Sequence, residues 1–167
     1  MGRFPNIVAF CGPIGSGKSE AARWLVKHYG YKLVRFAEPL KKMLHALGLD
    51  EAHTDGALKE LPCDILCGKT PRQAMFTLGT EWGRQMVGQS LWIDAWIRAS
   101  ANQPLVVCDD CRFVNEAGTV RRGGGLIVRL HRHDLNASDH ISETEGWQIT
   151  PDYIYDNRET IFDLQRW

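Results

Sequence analysis

Residues 10–25 read FCGPIGSGKSEAARWL, and this stretch decides the fold. Within it, Gly12-Pro13-Ile14-Gly15-Ser16-Gly17-Lys18-Ser19 meets every fixed position of the pattern G-x-x-x-x-G-K-[ST]. It follows an apolar run at 6–11 and opens a helical stretch at 18–29, with Ala21, Ala22, Leu25 and Val26 on one face. Glycines let backbone N–H groups converge on phosphates, because no Cβ stands in the way. Lys18 is expected to reach the outer phosphates and Ser19 to offer its hydroxyl to Mg²⁺. The helix N-terminus adds its positive end.

Outward from the loop, apolar runs and helical stretches alternate. Strands are expected at 6–11, 32–36, 105–108, 126–130 and 153–155. Helices are expected at 18–29, 39–47 (Leu40, Met43, Leu44 and Leu47 inward), from Thr70-Pro71 through Arg84, at 91–101 and at 159–165. Residues 50–68 are polar, broken by glycine and proline, and take no clear assignment. Short apolar strands alternating with helices imply an α/β fold with a parallel sheet covered on both faces. The expectation is a single domain over 1–167 with two insertions, 50–101 and 131–146.

Composition narrows the function. The 167 residues carry 20 basic and 20 acidic side chains, so the net charge is zero. A sequence-independent binder of nucleic-acid polymers needs a basic excess to displace counterions, and none exists here. Phosphate binding must then come from locally placed cations. The apolar run in MGRFPNIVAFCG is too short for a signal peptide, and no stretch approaches the ~20 apolar residues of a membrane span. A cytoplasmic protein is expected. The five cysteines, at 11, 63, 67, 108 and 111, are odd in number and partly within strands, which argues against a disulfide framework. A four-thiolate zinc site from Cys63/Cys67 and Cys108/Cys111 is the weaker alternative to free thiols.

Other residues share the loop's edge of the sheet. The run LVVCDDCRFVNEA ends a strand in Asp109-Asp110, as a Mg²⁺-holding element does. Arg112 follows two residues after Asp110, where a guanidinium stabilises a transferred phosphoryl group or clamps an acceptor. Arg72, Arg84, Arg129 and Arg132 suit a second phosphate cluster, and each equally suits a surface charge. Trp82 and Trp92 fit either base stacking or core packing. No guanine-reading N-K-x-D is present, and a motor or pump would need more chain. A small-molecule kinase needs a phosphate loop, an acceptor insertion, a carboxylate–arginine strand end and an arginine-bearing lid, and this order supplies all four.

The stretches GPIGSGKS, FAEPLKKML, RQAMFTLGTEWGR with LWIDAW, DDCRFVNEA, GGGLIVRL, DHISE and DYIYDN resemble the bacteriophage-type deoxynucleoside monophosphate kinases over nearly the whole chain. The resemblance implies a three-layer P-loop kinase fold, with a five-stranded parallel sheet in order 2-3-1-4-5, an acceptor-binding insertion and a lid. It implies transfer of the ATP γ-phosphate to a deoxynucleoside 5′-monophosphate, with Mg²⁺. ATP would meet Pro13, Ile14, Gly15, Ser16, Gly17, Lys18, Ser19 and Glu20, with Asn157 in a loop bordering adenine. The acceptor would meet Leu40, Lys41, Arg72, Trp82, Arg84, Trp92, Asp110, Arg112, His140 and Glu143, the last two in the lid with Arg132. Lys18, Asp110, Arg112 and Arg132 would serve catalysis, and Asp109 or Asp110 would reach Mg²⁺ through water. A homodimer is compatible with this reading. Base choice is expected to depend partly on 50–68, where family signal is weak. Phosphomevalonate kinases share the FAEPLK-like and D-x-R features, and are less alike at LGTEWGR and DHISE. A nucleotide-responsive binding protein without transfer activity is the alternative of a different class.

Overall fold

The computed structural model describes residues 5–132 and 146–157, and the chain divides into two compact units. The first comprises residues 1–35 and 99–167, and the second residues 36–98.

The first unit is a parallel sheet of five strands: β1 (Ile7–Cys11), β2 (Lys32–Leu33), β3 (Val106–Cys108), β4 (Leu126–His131) and β5 (Tyr153–Asp156). Their spatial order is β2-β3-β1-β4-β5, the order that the resemblance implies. β1 is central because it is apolar throughout. It pairs with β3 (Val8 opposite Val107) and with β4 (Phe10 opposite Val128). Helix α1 (Lys18–Tyr29) packs on β1, β2 and β3. Helix α6 (Val114–Arg122) packs on β1 and β4. The β1–α1–β2 and β3–α6–β4 crossovers run in opposite directions along the sheet, so right-handed connections put these helices on opposite faces, giving three layers. Val8, Phe10, Ala22, Tyr31, Val107, Val128 and Leu130 form the core. α1 ends on Gly30, whose left-handed backbone (φ 71°) closes the turn into β2.

The second unit is helical. It holds α2 (Glu38–Ala46), α3 (Glu51–Thr54), two 3₁₀ turns (Ala57–Glu60 and Asp64–Leu66), α4 (Pro71–Phe76), a π-helix (Thr77–Val87) and α5 (Leu91–Ser100). Its core places Phe36 in a stack with Trp96 (centroids 4.9 Å apart) beside buried Leu40, Leu44, Trp92 and Ile93.

Several expectations change. β2 stops at Leu33, although the Val34 N–H still donates to Val107 O (2.9 Å). Leu40 and Leu44, four apart, are the buried stripe of α2. Met43 is 37% exposed and Leu47, beyond the last helical residue, is 61% exposed. Val26 is likewise exposed on α1. The helix from Pro71 turns from α to π at Thr77. There Trp92 takes the space of the side chain that Gly83 lacks. Its indole N–H donates to Gly79 O (2.8 Å), and a Cβ on Gly83 would lie 2.5 Å from its ring. The 50–68 stretch forms α3 and the two 3₁₀ turns, with Asp50 and Thr70 as side-chain N-caps of α3 and α4. The sequence reading did not single out α6. Most of the expected lid and the whole 159–165 helix lie outside the described residues. Among the described residues no helix is long and apolar enough to cross a membrane.

At the mouth of the phosphate loop, Gly12 has φ 126°, and a Cβ there would lie 2.1 Å from the carbonyl oxygen of Leu130 on β4. Gly12→Ala should therefore force the loop off β4, at a cost of roughly 1–3 kcal/mol for the backbone alone. Thermal unfolding checks this: Tm should drop by about 2–4 °C per kcal/mol lost. An unchanged Tm would show that β1 and β4 can separate without cost.

Candidate active site

The loop after β1 has left-handed backbone at Gly12, Gly15 and Gly17 (φ 126°, 80° and 101°), which points its amides inward. Lys18, the first residue of α1, folds its ammonium back into the loop. Nζ donates to Gly12 O (2.8 Å) and Pro13 O (2.5 Å), with Ser16 Oγ at 3.5 Å. Ser16 is fully buried. Asn157, just past β5, donates from Nδ2 to Ser16 O (3.0 Å), while its own backbone N–H donates to His131 O (2.7 Å). Asn157 is 7% exposed. Its Oδ1 is buried with no hydrogen-bond partner among the described residues. The residue expected beside adenine is thus a strut under the phosphate loop, 141 positions from the carbonyl that it holds.

At the carboxyl edge of β3, Asp109 is 5% exposed and turns both oxygens to Arg35 (Nε to Oδ1 2.7 Å, Nη2 to Oδ2 3.1 Å). This fork commits Asp109 to Arg35. Asp110 Oδ1 accepts from the Cys108 thiol (3.1 Å). Burial pushes that thiol well above its ordinary pKa and the Asp110 charge adds to the effect, so it stays a donor. Cys111 is raised in the same way, by burial and then by the charge of Glu116. For Cys11, burial raises the pKa and a hydrogen bond from Arg129 opposes it. All five cysteines are free. Among the described residues no group of three or more His, Cys, Asp or Glu side chains is placed to hold a metal.

Arg112 sits on a loop fixed by a carboxylate that the sequence reading quoted without a role. Glu116 Oε2 accepts the backbone N–H of Arg112 (2.8 Å) and of Phe113 (3.1 Å) and is 3% exposed. Arg112 lines a recess of about 20 Å³ with Gly12, Pro13, Cys111, Arg129, Gly146 and Trp147. The wall opposite the loop is set by Arg129. Its Nη2 donates to Gly146 O (3.0 Å) and Ile149 O, and its guanidinium lies 5.3 Å from the centre of the Trp147 ring. Arg129 Nη2 thus spends its hydrogen bonds on carbonyl oxygens, which makes it a brace, while its Nε is buried with no hydrogen-bond partner among the described residues. Arg35, Glu116 and Trp147 were missed; their partners are long-range or backbone groups.

The remaining expected residues lie as follows. Ile14 and Gly15 are exposed at the loop's tip and Pro13 is buried. Ser19 and Glu20 are half-buried on the first turn of α1, Glu20 paired with Arg23. Arg132 is exposed beyond β4. His140 and Glu143 lie outside the described residues. In the second unit, Lys41 is 9% exposed and bonds Asp55, Arg72 bonds Glu60, and Arg84 is buried in the π-helix. Trp82 is 37% exposed. Trp92, at 5%, packs in the core with its indole N–H satisfied, so packing and not stacking is its role.

No family model matches the chain. It is 29% identical over 174 residues to a protein of Acanthamoeba polyphaga mimivirus described as "Putative deoxynucleotide monophosphate kinase", covering 93% of this chain and 90% of that protein. Among solved structures it is similar to shikimate kinase from Bacteroides thetaiotaomicron (TM-score 0.51, 14% identity, 96% and 94% of the two chains). It is also similar to TT1252 from Thermus thermophilus (TM-score 0.50, 18% identity, 98% and 94%). The fold is that of the P-loop kinases. In that fold the Asn157 contact ties the residue after β5 to the loop after β1.

Asn157→Asp sets an acceptor against the Ser16 carbonyl. Affinity for Mg·ATP, measured by calorimetry, should fall about ten-fold or more, equivalent to about 1.4 kcal/mol. Unchanged affinity in a folded variant would mean that the loop holds its shape without this strut.

Proposed function

We propose that the protein is a small-molecule kinase that transfers the γ-phosphoryl group of ATP, and that its acceptor is a deoxynucleoside 5′-monophosphate. The observation that carries the transfer reading is the complete phosphate loop closed by Lys18, sharing its recess with an Arg112 whose loop is fixed by buried Glu116. A loop that only sensed nucleotide would need no second cation fixed beside it. The acceptor class is supported by the mimivirus relative and by the strand-end D-x-R-F-x-N-E.

An acceptor phosphate oxygen attacks Pγ as the bond from Pγ to the bridging oxygen of ADP breaks, in line and through a loose transition state. That acceptor is already anionic, so no strong general base is needed. Lys18 leaves the Gly12 and Pro13 carbonyls for the outer phosphates, and Arg112 neutralises the equatorial oxygens. Arg132 and the expected lid residues His140 and Glu143 would complete the enclosure. Mg²⁺ would supply charge neutralisation of the β- and γ-phosphates, held by the Ser19 hydroxyl and, through water, by Asp110. Asp109 is committed to Arg35. On the acceptor's side we assign Lys41, Arg72, Arg84 and Trp82, with Leu40 contributing backbone because its side chain is buried. A kinase for another small anionic acceptor is the second reading, since the fold is shared with shikimate kinases.

Release of ADP from Mg·ATP, measured with each deoxynucleoside monophosphate, the ribonucleotides, shikimate and gluconate, separates these readings. A deoxynucleotide should be turned over at least ~10²-fold better than shikimate or gluconate. Lys18→Ala should lower turnover at least ~10²-fold with the fold intact. Arg112→Lys keeps the charge and loses the planar fork. It should cost ~10²-fold in turnover with little change in ATP affinity. Equal loss of ATP binding and turnover in Arg112→Lys would make it a nucleotide ligand instead.

A further inference from the structure

The segment without clear family signal, 50–68, is what the two cations Lys41 and Arg72 are bonded to. On α2, Lys41 and His45 are four residues apart and share one face. The dipeptide Thr54-Asp55 meets both. Lys41 Nζ lies 2.5 Å from Asp55 Oδ1, and His45 Nε2 lies 3.1 Å from Thr54 Oγ1. Thr54 is fully buried, which fixes the backbone beside Asp55. The same Thr54 hydroxyl also approaches Asp55 Oδ2 (3.3 Å). Five residues further on, Glu60 closes the first 3₁₀ turn and bonds Arg72 at the start of α4. α2, α3, this turn and α4 pack as one cluster, so both pairs belong to one helical face system within the second unit.

We propose that Asp55 and Glu60 are specificity-determining residues, each occupying in place of a phosphate a cation that an anionic acceptor recruits. The proposal rests on the assignment of Lys41 and Arg72 to the acceptor. Three features favour exchange over a purely structural role. The carboxylates are open to solvent, with side chains 45% (Asp55) and 59% (Glu60) exposed, so a phosphate reaches the cations without disturbing the core. The segment bearing them is a four-residue helix and two 3₁₀ turns whose backbone bonds stay within 50–69, so a carboxylate side chain can swing away without unpairing another element. A phosphate monoester near pH 7 carries up to two charges and three acceptor oxygens, against one charge on a carboxylate, so it wins the competition where a neutral or monoanionic ligand does not. The ligand class is therefore a phosphate monoester dianion.

The test uses the full chain with its loop filled by Mg·ADP, and inorganic phosphate as the probe in calorimetry. ADP binding reports the nucleotide loop on its own, so its failure would count against the kinase reading and leave phosphate binding to be read separately. Glu60→Gln should tighten phosphate binding roughly two- to five-fold, the range expected when an exposed ion pair no longer competes. Asp55→Asn should tighten it at least as much, because Lys41 is the more buried cation. Adding Arg72→Met to Glu60→Gln should abolish that variant's gain, which excludes binding at Arg112 as its source. If Asp55→Asn fails to fold, Glu60→Gln on the surface carries the test alone. Affinity that is unchanged or weaker in Glu60→Gln, or a gain that survives Arg72→Met, overturns the proposal.

Discussion

The backbone of Gly12 rests directly on the backbone of Leu130, with no room for a β-carbon between them. This close approach sets the rest of the site. It follows from the register of β1 and β4, which places Cys11 opposite Arg129 and delivers the chain into the loop one residue later. With one end of the loop seated on β4, its far side is held by Asn157 through Ser16. The loop is thus fixed from two adjacent strands before any phosphate arrives. A preorganised set of amides spends little on reordering when charge develops, which is the condition for electrostatic catalysis.

A second regularity concerns charge. The chain is neutral overall, and the key charged groups near the candidate sites have internal partners. Lys18 is held by carbonyls, Asp109 by Arg35, Glu116 by two amides, Lys41 by Asp55 and Arg72 by Glu60. A basic groove would attract any polyanion and be governed by salt. On the proposed function an incoming phosphate would replace an existing partner, so affinity would report the difference between two bonds and not the strength of one.

Legibility in the sequence followed the range of the interaction. The phosphate loop, α1 and the apolar strands are local patterns, and their periodicity and glycine spacing could be read directly. The Arg35–Asp109 fork spans 74 positions and the Asn157–Ser16 contact 141, so no local window contains them. Asp109-Asp110 therefore read as two equivalent acids, although only the fold separates the one committed to a guanidinium. The π-helix was hidden for a similar reason. The sequence reads as one helix from Thr70-Pro71 through Arg84, whereas the residue that packs on Gly83 and bonds the Gly79 carbonyl is Trp92, supplied from the next helix. Met43 and Leu47 misled because an apolar side chain at helical spacing is buried only where another element covers it.

The two kinds of internal partner have different consequences. On the proposed function Lys18 would exchange neutral carbonyl oxygens for phosphate, and the freed carbonyls could be solvated at modest net cost. Any nucleotide with outer phosphates meets that condition, so the loop by itself discriminates weakly. Lys41 and Arg72 would exchange carboxylates, and a displaced carboxylate must regain its full hydration while the ligand supplies at least as much charge. Discrimination between ligands is largest where the displaced partner is charged, since a poor substitute then leaves a cation with less than it had. On the proposed function, with two phosphorylated ligands to be told apart, selectivity would accordingly belong to the 36–98 unit. The phosphate loop supplies the chemistry that is common to both.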